Sequence, residues 1–135
     1  MSIDIFYFSN YSGNTHRFIE RLGRDATRIP IAWDVASPIY AERKYILFVP
    51  TYGGGSEGSA VPRQVRHFLN IPSNRDLLQG IVGFGNMNFG EHYCKAADMI
   101  SQKTGKPVIA RIEIFGTDYD IEKTREKLEY YDRQV

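Results

Sequence analysis

Residues 3–15 constrain the fold more than any other stretch. The apolar run Ile3-Asp4-Ile5-Phe6-Tyr7-Phe8 leads straight into Ser9-Asn10-Tyr11-Ser12-Gly13-Asn14-Thr15, and an amphipathic helix follows at once. A strand, a hydroxyl-rich turn bearing one glycine and a helix, in that order, leave free backbone N–H groups at a helix N-terminus, where the macrodipole favours an anion. No lysine or arginine lies inside the turn, so a site built this way would hold a phosphate monoester with neutral donors alone. That favours a bound phosphorylated cofactor over phosphoryl transfer, which recruits lysine and magnesium. Ser, Asn, Thr and Gly are also the residues of any capped helix start, and the rest of the chain has to decide between the two readings.

Strand-sized apolar runs alternate with helical patterns to the end of the chain. The first strand is expected over Ile3–Phe8 and the first helix over Asn14–Leu22, with Phe18, Ile19 and Leu22 inward and Gly23 as C-cap. Arg28–Trp33 reads as a short second strand, Asp34–Arg43 as loop and Tyr45–Val49 as a third strand ended by Pro50. A glycine-rich loop, Thr51–Gly58, precedes a helix over Ala60–Asn70 with Pro62 in its first turn. Ile81–Phe84 reads as the fourth strand, Met87–Gly90 as loop and Glu91–Lys103 as a helix with Tyr93, Ala97 and Ile100 on its apolar stripe. Gly105-Lys106-Pro107 turns into a fifth strand, Val108–Phe115. Thr117 or Asp118 caps the last helix, which faces Ile121, Leu128 and Tyr131 inward. Such alternation implies a parallel sheet covered on both faces. Five strands at this spacing suit a doubly wound α/β sheet of order 2-1-3-4-5, with helices on both faces and a ligand at the carboxyl ends of strands one and three.

Composition narrows the function classes. The 135 residues fit one domain, residues 1–135. A net charge of +1 does not call for a polyanionic partner such as nucleic acid. The single Cys94 has no partner cysteine for a disulfide or a zinc site, which suggests a reducing compartment. No apolar run approaches the roughly 20 residues of a membrane span, and no signal-peptide pattern is present. The expected location is the cytoplasm. No metal site is expected.

Three loops leave the same edge of such a sheet: Ser9–Thr15, Thr51–Gly58 and Gly85–Gly90. Every strand-to-helix loop needs turn residues, but four glycines within Gly53–Gly58 exceed what a tight turn requires. Glycine allows close backbone approach to a flat ligand and free peptide rotation. Tyr52 and Phe89 could offer aromatic faces to a planar ring or could be ordinary loop aromatics. Arg63, Arg66 and His67, with Arg75 further on, cluster around one helix, as a solvated face or as a docking surface for an acidic partner.

With these segments in hand, a resemblance can be stated. Ser9-x-x-Ser12-Gly13-Asn14-Thr15 resembles the phosphate loop of flavodoxins, which bind FMN. Pro50-Thr51-Tyr52-Gly53-Gly54-Gly55, Val61-Pro62-Arg63-Gln64-Val65, Gly85-Asn86-x-Asn88-Phe89-Gly90 and Ala97-Asp98-x-Ile100 resemble a narrower family, NrdI, the flavodoxin-like protein serving class Ib ribonucleotide reductase. Phe18-Ile19-Glu20-Arg21-Leu22-Gly23 extends the similarity almost end to end. The resemblance implies that Ser9, Ser12, Asn14 and Thr15 bind the FMN phosphate, helped by Asn10 and the backbone of Tyr11 and Gly13. It implies that Thr51, Tyr52, Gly53 and Gly54, with Gly85, Asn86, Met87, Asn88, Phe89 and Gly90, bracket the isoalloxazine. It further implies that the flavin, fed by an electron donor, reduces dioxygen to superoxide or peroxide. That oxidant would serve the dimanganese–tyrosyl radical cofactor in the small subunit of the reductase, the expected partner.

The residues add two expectations. A peptide at Gly53-Gly54 or Gly54-Gly55 could rotate its carbonyl towards flavin N5 on reduction. With only Glu57 and Glu91 as acids in the ring-side loops, an anionic reduced ring should cost less, and the two one-electron potentials should lie closer together than in an electron-carrier flavodoxin. A receiver domain is excluded because strand three ends in Val49-Pro50-Thr51 without an acceptor aspartate. A P-loop nucleotidase is excluded by the missing lysine motif, and a low-molecular-weight phosphatase by the lack of a cysteine in the early loop. A general electron-shuttling flavodoxin and a non-redox binding module on the same fold remain alternatives.

Overall fold

Two apolar faces on one strand require cover on both sides, and the central strands here are of that kind. In the computed structural model, which describes residues 2–52 and 60–135, β1 (Asp4–Tyr7), β2 (Thr27–Arg28), β3 (Tyr45–Pro50), β4 (Leu78–Gly85) and β5 (Val108–Glu113) form one parallel sheet of order β2-β1-β3-β4-β5. Phe6, Phe8, Tyr45, Leu47 and Val49 face one core, closed by Val65, Phe68 and Leu69 of α2 (Arg63–Asn70) and by Ala96, Ala97 and Ile100 of α4 (Lys95–Thr104). Ile5, Tyr7, Ile46 and Phe48 face the other core. That side is closed by Phe18, Ile19 and Leu22 of α1 (Asn14–Leu22) and by Ile121 and Leu128 of α5 (Asp118–Asp132). The sheet order and the placement of helices on both faces agree with the sequence reading.

The differences have local causes. The second strand is Thr27–Arg28 rather than Arg28–Trp33: Ile29 still donates to the Tyr7 carbonyl (2.7 Å), and the pairing stops at Pro30, whose ring fixes φ. A helix absent from the sequence reading, α3 (Pro72–Leu77), follows α2 directly. Its buried Asn74 accepts from Ala41 N–H (2.8 Å) and donates to the Phe68 (2.9 Å) and Ile39 (3.2 Å) carbonyls. The Asn74 carbonyl accepts from the buried Tyr45 hydroxyl (2.5 Å). These long-range bonds hold α3, and no apolar periodicity marks it. A register shift at Tyr45/Ile46 starts β4 at Leu78, three residues before the expected Ile81, and keeps Leu78 and Ile81 on one face. β5 ends at Glu113, because Ile114 takes a left-handed conformation (φ 56°). The helix expected from Ala60 begins at Arg63, with Pro62 as its N-cap. Thr117 and Asp120 cap α5 reciprocally, as expected of that threonine.

Candidate functional site: three loops at the carboxyl edge

All strands run parallel, so the loops after β1, β3 and β4 emerge at one edge, and β1 and β3 are neighbours there. The loop after β1 is braced by its own side chains. Asn10 Oδ1 accepts from Ser12 N–H (3.1 Å) and from the Ser12 hydroxyl, and the Asn10 carbonyl accepts from Gly13 N–H (3.1 Å). Gly13 then turns left-handed (φ 74°, ψ 13°), and its carbonyl accepts from Arg17 N–H (2.9 Å) as the first bond of α1. The buried Ser9 hydroxyl accepts from His16 N–H (3.1 Å), which ties the third helical amide to the strand end. Asn14 and Thr15, the first two helical residues, meet no protein acceptor for their N–H groups among the described residues. A Cβ built on Gly13 meets no atom within 4 Å. The loop therefore offers open space before two free amides at the positive end of a helix, which fits a phosphate group.

The turn holds no cation, as the sequence indicates, but cations flank it. Arg28 from β2 donates to the Ser9 carbonyl (3.0 Å) and lies 5.9 Å from the centre of the Tyr7 ring, and Arg17 donates to Asn14 Oδ1 (3.4 Å). Arg28 escaped the sequence reading because strand pairing, rather than chain proximity, brings it there. Tyr11 stands 91% exposed at the loop tip. Thr15 is buried.

Of the residues expected beside a ring, Thr51 and Tyr52 are also structural. The Thr51 hydroxyl accepts from Ala96 N–H (3.1 Å) in the first turn of α4, satisfying an amide that α4 itself leaves free. The Tyr52 ring meets Phe8 edge-on (6.0 Å between centroids, 66°) and packs partly into the core beneath the edge. Burial, and then Tyr11, raise its phenol above the ordinary value. Gly53, Gly54 and the rest of the glycine-rich loop lie outside the described residues.

The loop after β4 is built differently. Met87–His92 forms a 3-10 segment interrupted at Gly90 (φ 58°, ψ −119°), where a helix from Glu91 was expected. Asn86 Oδ1 caps it by accepting from Asn88 N–H (2.9 Å). Tyr93 precedes α4 instead of lying on its stripe, and Cys94 is the left-handed N-cap (φ 56°). The cause is close packing. A Cβ on Gly85 would fall 2.6 Å from Cys94 N, and one on Gly83 would fall 2.6 Å from the Ala97 side chain. Burial pushes the Cys94 thiol up to about 11 and the Tyr93 phenol up to about 12. Met87 is 60% exposed and Asn88 is exposed. Phe89 belongs to the 3-10 segment by its backbone. Met87 N–H donates to Glu113 Oε2 (3.1 Å), so a carboxylate from the end of β5 stands at this loop. The count of two ring-side acids from local sequence missed it, because β5 reaches the loop only through the sheet.

The comparisons agree with this architecture. The family model described as NrdI flavodoxin-like matches residues 6–126. Protein NrdI of Enterobacter sp. (strain 638) is 49% identical over 131 residues, covering 96% of this chain and 95% of that protein. Among solved structures, a short-chain flavodoxin associated with a non-canonical PDU bacterial microcompartment superposes with a TM-score of 0.60 at 17% identity, over 96% of this chain and 95% of that one. A Fusobacterium nucleatum flavodoxin bound to flavin mononucleotide does so with a TM-score of 0.55 at 17% identity, over 100% and 99%. The chain belongs to the NrdI flavodoxin-like family.

Proposed function

We propose that this protein binds FMN and, when the flavin is reduced, passes electrons to dioxygen so that superoxide or peroxide reaches the small, radical-bearing subunit of a class Ib ribonucleotide reductase. There the oxidant serves assembly or maintenance of a dimanganese–tyrosyl radical cofactor. The working unit is one domain, residues 1–135, in the cytoplasm, with a separate electron donor. FMN, when bound, supplies the redox chemistry. The chain's own residues bind and orient it. Asn14 and Thr15 N–H groups receive the phosphate, and the Ser12 hydroxyl turns its single O–H from Asn10 Oδ1 to the phosphate, while Ser9, Asn10 and Gly13 keep the loop in shape. Thr51, Tyr52 and residues 85–90 border the ring, with Gly53 and Gly54 completing that border. No side chain is required as a catalytic acid or base.

The observation that carries this reading is the pair of free amides at the open N-terminus of α1, set at the β1/β3 edge in a chain of this family. A general electron shuttle is the competing reading, and Glu113 favours it, since a carboxylate near the ring makes an anionic reduced flavin more costly. The two separate in one experiment. The FMN-loaded protein is reduced anaerobically with dithionite and mixed with the manganese(II)-loaded small subunit, and air is admitted while the tyrosyl radical is followed by electron paramagnetic resonance. Radical formation that depends on the reduced protein is the expected result. Rapid reduction of other acceptors, with no radical, would favour the shuttle.

A further inference from the structure

Away from the carboxyl-edge loops, α2 and α4 lie side by side on the same face of the sheet, and between them is a groove with a cavity of about 720 Å³. Ligand pockets run from roughly 300 to 1,000 Å³, so the space is ample for a large side chain and its flanking backbone. The floor is apolar, with Leu69 from α2 and Met99 from α4. The rim carries Arg63, Arg66, Arg75 and Lys103, all exposed, and among the described residues no aspartate or glutamate lines the groove. Among the described residues none of these four cations makes an ion pair, whereas arginines 21, 24, 43, 111 and 125 elsewhere on the molecule each face a carboxylate. The sequence shows the clustering of Arg63, Arg66 and Arg75. Only the fold adds Lys103 across the groove and the apolar floor between.

We propose that the α2–α4 groove docks an acidic peptide segment of a partner protein, with one apolar side chain seated on Leu69 and Met99 and carboxylates paired with Arg63, Arg66, Arg75 and Lys103. Charge complementarity selects the occupant: an uncharged apolar segment would leave the Arg63, Arg66 and Lys103 charges unpaired beside it, Arg75 being held by the Leu69 and Asn70 carbonyls (3.1 and 3.4 Å) with its charge still free to attract, and a simple inorganic anion would leave the floor uncovered. The inference is independent of the flavin, because the groove shares no residue with the three carboxyl-edge loops.

The only tryptophan, Trp33, provides the readout. Its ring stacks on His67, which lines the groove (5.9 Å between centroids, 14°). A short peptide of glutamates around one leucine is titrated into the full chain at low salt, with Trp33 emission and the anisotropy of a labelled copy recorded. Saturable binding is expected. It should weaken about tenfold or more in the Arg66→Glu, Lys103→Glu double variant, which loses two pairs and adds repulsion. It should also weaken when salt shortens the Debye length from about 30 Å to 8 Å. Met99→Ala, which leaves every charge in place, should weaken binding as well. Equal binding of a peptide with glutamines in place of its glutamates would overturn the proposal. So would displacement of the peptide by inorganic phosphate at matched ionic strength, or unchanged affinity in the double variant. Circular dichroism of each variant separates lost docking from lost fold.

Discussion

The loops after β1 and β4 sit at the same edge and are rich in the same residue types, yet they depend on glycine for opposite reasons. Gly13 turns left-handed in open space, with no atom within 4 Å of a would-be Cβ, and the two amides that follow meet no acceptor among the described residues. Gly85 has nothing unusual in its dihedral angles but lies so close to Cys94 that no side chain fits. The first loop is braced from within and open to a ligand. The second is pressed onto the sheet and presents a surface, with Met87 and Asn88 outward and Glu113 tied to its backbone. Under the proposed function, phosphate recognition and ring surroundings are thus separate constructions, one from backbone conformation and one from packing.

Substitutions can break that comparison at either end. Gly85→Ala should have the largest effect. The Cβ meets backbone rather than a flexible side chain, so strand or loop must shift, at a cost of about 3 kcal/mol, the upper end for overpacking. Urea denaturation should show a lower midpoint with little change in slope. The packed loop also holds a titratable reporter. Cys94 ionises near 9 in the unfolded chain and about 11 when folded. Its contribution is therefore complete below pH 9 and lost as pH rises through 11, up to about 2–3 kcal/mol. Stability measured from pH 8 to 11 should fall more steeply in the natural chain than in Cys94→Ala, and equal slopes would contradict the buried thiol.

In the open loop the effects are smaller. Gly13→Ala introduces only left-handed strain, about 1–2 kcal/mol, with no clash. Ser9→Ala removes the acceptor for His16 N–H and should cost about 1 kcal/mol, within the range for helix caps. Both should weaken FMN binding beyond their effect on stability, whereas Gly85→Ala should alter the flavin spectrum while sparing the phosphate contact. Riboflavin, which lacks the phosphate, sharpens the contrast, since its binding should be insensitive to Gly13→Ala.

How much of this was legible in the sequence follows from the same distinction. The β1 loop and α1 were readable to the residue, Asn14–Leu22 with Gly23 beyond, because local chemistry determines them: a glycine in a turn, an apolar stripe, a C-cap. The alternation of strands and helices gave the sheet order, since each central strand is apolar on both faces. Features made by tertiary contact were not readable. α3 depends on Asn74 bonding to Ala41 and Phe68, Thr51 serves the Ala96 amide 45 residues away, and the 3-10 segment before α4 follows from the close approach of Gly85 to Cys94. Glu113 and Arg28 reach the site across the sheet, and no local pattern marks either.

The central claim is that the open N-terminus of α1 recognises a phosphate on a flavin. Its most direct test is calorimetric titration of the apoprotein with FMN and, separately, with riboflavin at the same pH and salt. Hydrogen bonds to a charged group contribute about 1.5–3 kcal/mol each, so the two amides predict FMN binding at least about a hundredfold tighter. Equal affinities, or no binding of either, would contradict the account.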